Sequence, residues 1–219
     1  MRPALLLDAS PADLSADVLW GVVTRLGESG IVLPLVLIVA IGLSRTAKRA
    51  HRALSLLLPI ALGAMVVTAT KIAFMGFGWG IASIDFTGMS GHAMLAAAIY
   101  PVLAVVFVPP TWPRREVATA AAVAIVVLVA VSRVAIDAHS ASEVLSGCVV
   151  GALAAVVATR SIDRAGGVRL SIAWLAPPLV WMLLTLPAPP VMPSQDWITG
   201  LAMTLSGHER PYVRADLHR

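Results

Sequence analysis

Charged residues and cysteines are scarce in this chain of 219 residues. Asp, Glu, Lys and Arg together make up 13% of the sequence, which is about half their share in a soluble globular domain. Disordered chains and coiled coils both need abundant polar residues, so this scarcity argues against either class. The single Cys148 excludes an intrachain disulfide, and its position in an apolar run is typical of a small buried side chain.

Apolar residues are abundant instead. They make up 58% of the chain, and the mean hydropathy is +0.87, which together indicate a polytopic membrane protein. The net charge is +4, but most basic residues lie in short gaps between apolar runs. There they act as topology signals and contact anionic lipids, so we expect no nucleic-acid binding.

Six apolar stretches between charged residues predict six transmembrane helices, at 29–44, 53–70, 93–113, 117–132, 144–159 and 170–195. Residues 12–27 have apolar side chains near helical spacing, and they predict an interfacial helix. The expected fold is therefore an all-α, polytopic membrane helix bundle. Its parts are an N-terminal interfacial segment (1–28), one six-helix membrane domain (29–189) and a polar C-terminal tail (190–219).

The distribution of basic residues predicts the orientation. Three of the predicted loops carry nine of the 16 basic residues: Arg45, Lys48, Arg49, Arg52, Arg114, Arg115, Arg160, Arg164 and Arg169. By the positive-inside rule these loops are cytoplasmic, whereas residues 72–90 and 134–138, which lack Lys and Arg, are extracytoplasmic. We expect an integral protein of a bacterial inner membrane.

Five ionisable residues fall at the ends of predicted spans on the face that is poor in basic residues. They are Lys71, His92, Arg133, His139 and Glu143. Ionisable groups near membrane depth are costly, so they mark functional sites by default. Lys71 and Arg133 taken singly are ordinary snorkelling anchors. Two cations that converge form an anion site, and Arg suits phosphate oxygens in particular.

The segment that precedes the third predicted span also suits an anion. Ser90 is a natural N-cap, and Gly91 leaves the backbone open, so unpaired N–H groups would face a bound anion. An ordinary capped helix start would explain these two residues equally well on their own.

His139 and Glu143 are four residues apart, which places both side chains on one helix face. A carboxylate bound to one ring nitrogen leaves the other free to act as a nucleophile, and His92 could then supply a proton to a leaving oxygen. Two His and a Glu could also bind a metal ion. Lys71 and Arg133 would repel a divalent cation, so we expect neither a metal nor another cofactor.

Three separated segments resemble the signature of the type 2 phosphatidic acid phosphatase superfamily. They are Lys71, Ser-Gly-His at 90–92, and Ser-Arg at 132–133 followed by five residues and then His139. The resemblance extends over residues 53–160. That family includes integral-membrane lipid phosphatases with a six-helix core, and soluble acid phosphatases and vanadium haloperoxidases share its site.

The resemblance implies a role for each matching residue. His139 would attack phosphorus and form a phosphohistidine, Glu143 would orient His139, and His92 would protonate the leaving alkoxide. The phosphoryl oxygens would be held by Lys71, Ser90, Gly91 and Arg133.

The sequence departs from the family pattern at three points. Gly78 and Trp79 stand where the first motif has Arg-Pro, Met89 replaces a Pro, and Glu143 replaces an Asp. The expected function is metal-independent hydrolysis of a lipid phosphate monoester or a polyprenyl diphosphate at the extracytoplasmic face. Two alternatives remain open, a lipid-linked phosphotransferase with the same site and a non-catalytic lipid-binding or transport protein.

Overall fold

The computed structural model describes residues 11–46, 51–108, 114–164, 170–185 and 193–218. Regular structure in these residues is helical, apart from one isolated bridge between Ile81 and Phe86. The α-helices are α1 (Pro11–Thr24), α2 (Ser29–Thr46), α3 (His51–Phe77), α4 (Gly91–Phe107), α5 (Arg114–Ala135), α6 (Ala141–Arg164), α7 (Ala176–Thr185) and α8 (Ser194–Ser206). The all-α class is confirmed.

Four stretches of the described residues are long and apolar enough to cross a membrane, which supports an integral membrane protein. They are Val18–Arg45, His51–Phe77, Arg115–Ala135 and Ala141–Arg164. They correspond to the first, second, fourth and fifth predicted spans. The shorter apolar helices Gly91–Phe107 and Ile172–Thr185 overlap the third and sixth predicted spans. Residues 109–113 and 186–192 of these two spans lie outside the described residues. Six spans and the interfacial helix remain predictions.

The central helix of the bundle is α4, which packs against α2, α3, α5 and α6. Its alanine-rich sequence lets neighbouring helices come close, and α6 meets it with two glycines. A Cβ atom at Gly151 would lie 2.2 Å from the Met94 carbonyl oxygen, and one at Gly147 would lie 2.5 Å from that of Ser90. Such small residues allow close helix packing in membranes. This packing places the N-terminal ends of α4 and α6 side by side.

The region predicted as a polar tail is folded where it is described. Helix α8 packs against α3, and the chain then turns back toward the end of α3. There the Tyr212 N–H donates to the Met75 carbonyl oxygen at 2.9 Å. A short 3-10 turn at Arg214–Asp216 follows. The C-terminal residues therefore lie beside the same end of the bundle as the predicted site.

Candidate active site

The predicted pair of His139 and Glu143 is in contact. His139 Nδ1 lies 2.7 Å from Glu143 Oε2, and the Glu143 side chain is completely buried. A carboxylate only accepts hydrogen bonds, so Nδ1 carries the proton and donates it. The lone pair of Nε2 is then free, as a nucleophilic histidine requires.

Glu143 is held by donors on both of its oxygens. Oε1 accepts from the N–H and the hydroxyl of Thr87, each at 2.6 Å. Besides His139, Oε2 accepts from the Ser140 N–H at 3.1 Å and from Arg214 Nη2 at 2.7 Å. This environment fixes the carboxylate, and the fixed carboxylate fixes the imidazole.

A tight turn joins Arg133 to His139. The N–H groups of Ala138 and His139 both donate to the Arg133 carbonyl oxygen at 3.1 Å, and Asp137 adopts a left-handed conformation with φ +54°. The guanidinium Nη1 of Arg133 donates to the Thr24 hydroxyl at 2.9 Å. The five residues between Arg133 and His139 therefore correspond to the length of this turn.

Ser90 is the N-cap of α4, as its sequence context predicts. Its side chain is fully buried and its hydroxyl accepts from the Ala93 N–H at 3.5 Å. Its own N–H donates to the Glu143 carbonyl oxygen at 3.0 Å. Ser90 lies behind the cavity described next, so these contacts are those of a helix cap that also anchors α4 to α6.

Five of the predicted site residues line a cavity of about 740 Å³. Its wall includes Lys71, Gly91, His92, Arg133 and His139. These residues come from α3, α4, the end of α5 and the turn before α6. The structure thus brings together both imidazoles and both predicted cations, and Glu143 lies directly behind His139.

Glu28 is a site residue that the sequence interpretation missed. Its Oε2 lies 2.9 Å from His92 Nε2, and both side chains line the cavity. Glu28 lies between α1 and α2, and by the predicted topology it precedes the first span on the same face as His92. An acid at that position was the available signal. Each imidazole of the site therefore has its own carboxylate partner.

The C-terminal region also reaches the cavity. Lys71 Nζ donates to Gln195 Oε1 at 2.9 Å, and Arg214 lines the cavity. The sequence offered no signal for either residue, because neither belongs to a motif.

The ionisation of His139 suits a nucleophile. Burial lowers the pKa of the His139 imidazole below its ordinary value, although the hydrogen bond to Glu143 opposes this effect. The nearby charges of Lys71 and Arg133 lower it further. The ring is therefore neutral at neutral pH.

Fold and site together define a helical membrane protein with a cationic, histidine-containing cavity at one end of its bundle. The model of the PAP2 superfamily matches residues 77–166. A protein from Klebsiella pneumoniae, described as an uncharacterized 22.5 kDa protein in the cps region, is 32% identical over 207 residues, covering 91% of this chain and 98% of its own. The chain belongs to the PAP2 superfamily.

A solved structure is also similar. It is the crystal structure of a transmembrane PAP2 type phosphatidylglycerolphosphate phosphatase from Bacillus subtilis, with 26% identity and a TM-score of 0.56. The match covers 74% of this chain and 82% of that one. The family match includes Ser90, His92, Arg133, His139 and Glu143, whereas Glu28, Lys71 and Arg214 lie outside it.

Proposed function

We propose that this protein is a membrane-embedded phosphatase that hydrolyses a lipid phosphate monoester or diphosphate through a phosphohistidine intermediate, without a metal ion. The observation that carries this proposal is the cavity where the His139–Glu143 pair, His92, Lys71 and Arg133 meet. Membership of the PAP2 superfamily and similarity to a membrane phosphatase support lipid phosphatase activity in general.

In the first step, the Nε2 lone pair of His139 attacks phosphorus and the bond from phosphorus to the ester oxygen breaks. His92 acts as an imidazolium: its Nε2–H, which contacts Glu28 in the structure, passes its proton to the leaving oxygen, and a neutral imidazole remains. Lys71, Arg133 and the Gly91 N–H bind the non-bridging oxygens, whose negative charge they stabilise.

In the second step, water attacks the phosphohistidine. His92, now with a free lone pair on Nε2, takes a proton from the water as the N–P bond breaks. Inorganic phosphate leaves and His139 returns to its starting form. Ser90 contributes by fixing the start of α4, on which Gly91 and His92 lie.

An amphiphilic substrate fits the composition of the cavity wall. Besides the charged residues, the wall includes apolar side chains, among them Leu33 of α2, Ala64 and Val67 of α3, and Leu95 of α4. The phosphate of a lipid can bind among the charges while its chains contact these apolar side chains. Phosphatidate, phosphatidylglycerol phosphate, polyprenyl diphosphate and lipid A phosphate are the substrates to compare.

The helix polarity supports an extracytoplasmic site. Arg52 and Arg115 lie near the starts of α3 and α5, while Lys71 and Arg133 lie toward the opposite ends of these helices. In the same way, α6 begins beside His139 and ends at Arg164. Since basic residues mark the cytoplasmic side, the cavity faces outward in this proposal.

Phosphate release by the purified protein in detergent, with a chelator present, tests the proposal on those four lipids. His139→Ala should reduce turnover of the preferred lipid by about a thousand-fold or more, because the nucleophile is lost. His51→Ala, which alters an exposed histidine at the other end of α3, is the matched control and should keep full activity.

Equal phosphate release by wild-type protein and His139→Ala would contradict the enzymatic proposal. Activity that appears only when a divalent metal is added would contradict the metal-independent mechanism. Turnover that depends on an added acceptor, with little free phosphate, would identify a phosphotransferase instead.

A further inference from the structure

The C-terminal segment, defined here as residues 207–218, packs against residues 78–80, which directly follow α3. It begins at Gly207, which ends α8 in a left-handed conformation with φ +71°. A Cβ atom at Gly78 would lie 3.2 Å from Tyr212 Cε1, and one at Gly80 would lie 2.5 Å from Leu217 Cδ1. The absence of side chains at these two glycines therefore gives the segment its close approach to the site.

In this position, Arg214 contacts the buried carboxylate of Glu143, the partner of His139. Its Nη2 donates to Glu143 Oε2 at 2.7 Å, the same oxygen that accepts from His139 Nδ1. Its Nη1 donates to the Asp85 carboxylate and to the Asp85 carbonyl oxygen, the latter at 2.9 Å. The planar guanidinium thus holds two acidic residues at once, as its fork of donors allows.

Asp85 is itself fixed in place. It adopts a left-handed conformation with φ +50°, and its Oδ1 lies 3.1 Å from His218 Nε2. The groups that face Arg214 are therefore the carboxylates of Asp85 and Glu143 and the hydroxyl of Thr87, which lies 3.4 Å from Nη2. Both terminal nitrogens of Arg214 donate to carboxylates, so this guanidinium is engaged within the protein.

We propose that Arg214 is a positioning residue for the phosphatase reaction: with Asp85 behind it, it fixes the Glu143 carboxylate and thereby the His139 ring. Docking of the C-terminal segment is then required for full activity. This inference rests on the proposed function. A carboxylate with one donor removed can rotate, and a small misplacement of a nucleophile is enough to slow catalysis strongly.

Steady-state kinetics of Arg214→Gln test the inference. We expect kcat to fall by about 10- to 100-fold while KM stays within about twofold, because alignment and not substrate binding is lost. Arg214→Lys, which keeps the charge, should recover part of the loss. The control is Arg210→Gln, which alters an arginine of the same segment whose side chain is 75% exposed, and it should behave like the wild-type protein.

Two further measurements separate positioning from a purely structural role. Removing the cation beside Glu143 should favour protonation of His139, so the acid limb of the kcat/KM profile should move to higher pH in Arg214→Gln and not in Arg214→Lys. Asp85→Asn should lower kcat less than Arg214→Gln does, and the double variant should be no worse than Arg214→Gln alone.

The inference is overturned if Arg214→Gln retains wild-type kcat, if only KM rises, or if the acid limb does not move. It is also overturned if the losses from Asp85→Asn and Arg214→Gln multiply. Wild-type activity that is lost in His139→Ala but kept in Arg214→Gln would refute this inference alone. Equal phosphate release by wild-type protein and His139→Ala would refute the proposed function.

Discussion

In the proposed reaction, two imidazole–carboxylate pairs carry the chemistry. Glu143 binds the Nδ1 side of His139 and leaves Nε2 free, which suits a nucleophile. Glu28 binds Nε2 of His92, which suits a residue that must hold a proton before giving it to a leaving oxygen. The same two residue types therefore serve two roles, because the carboxylates contact different ring nitrogens.

The pH dependence follows from the burial of His139. Since burial lowers its pKa below the ordinary value of 6.5, the neutral, nucleophilic form persists to lower pH than for an exposed histidine. Activity should therefore fall on acidification only below about pH 6.5. The measurement is kcat/KM against pH for the preferred lipid. An acid limb centred above that value would contradict the assigned environment.

The role of Glu28 predicts a dependence on the leaving group. Glu28→Gln should slow hydrolysis of an alkyl phosphate by about tenfold, because His92 then holds its proton less well. An aryl phosphate with an acidic phenol leaving group needs little protonation and should be slowed less than about twofold. The control is Glu116→Gln, an exposed acid in the first turn of α5. Equal losses with both substrates would contradict the assignment.

Several of the site residues predicted from the sequence belong to short local patterns. Ser90 and His92 belong to a capped helix start, and His139 and Glu143 are one helical turn apart. Glu28 and Arg214 lie 64 and 71 residues along the chain from their partners. Hydrogen bonds over such separations depend on how the helices pack. The sequence offered only an acid before the first predicted span as a signal for Glu28, and it offered no signal for Arg214.

At the scale of the element, the contact of α4 with α6 sets the geometry of the site. Both helices carry proposed catalytic groups at their starts, and Gly147 and Gly151 let their backbones come into contact. The Ser90 N–H that donates to the Glu143 carbonyl oxygen depends on this approach. Helix packing, together with the turn that joins Arg133 to His139, thus determines where His92 lies relative to His139.

Gly147→Ala should therefore separate the two helices. We expect it to destabilise the protein by about 1–3 kcal/mol, because the added methyl group would overlap the Ser90 carbonyl oxygen, and to reduce activity. Gly200→Ala is the matched control, since nothing lies within 4 Å of the position of its Cβ in α8; it should stabilise by up to about 1 kcal/mol. Thermal unfolding in detergent compares them. Equal stability of the two variants would contradict close α4–α6 packing.

Hydropathy predicted the long helices because an uninterrupted apolar run of sufficient length has few alternatives to a spanning helix. The helices α4 and α7 are shorter than the predicted spans that they overlap. Counting apolar residues between charges ignores where a helix starts and stops. The predicted span 93–113 runs past the end of α4, whose C-cap is Val108. Hydropathy alone does not mark this helix end.

At the scale of the whole molecule, chain segments from both termini complete the cavity. Glu28 approaches from the N-terminal side, and Gln195 and Arg214 from the C-terminal side. The family match ends at residue 166, so the C-terminal contribution lies beyond it. The sequence presents that region as a polar tail because its helix is short and its charges follow no motif. Tertiary contacts with α3 give it a defined place.

In the proposed reaction, His139 becomes phosphorylated during turnover. Trypsin cleavage after Arg133 and Arg160 yields the peptide 134–160, in which His139 is the only histidine. The protein is mixed with its preferred lipid phosphate, quenched in alkali during turnover, digested and analysed by mass spectrometry. We expect one phosphoryl group on His139 of this peptide and none on the corresponding peptide of His139→Ala. If the 134–160 peptide stays unmodified during turnover, His139 is not the nucleophile, whether the phosphoryl group is found on another residue or on none.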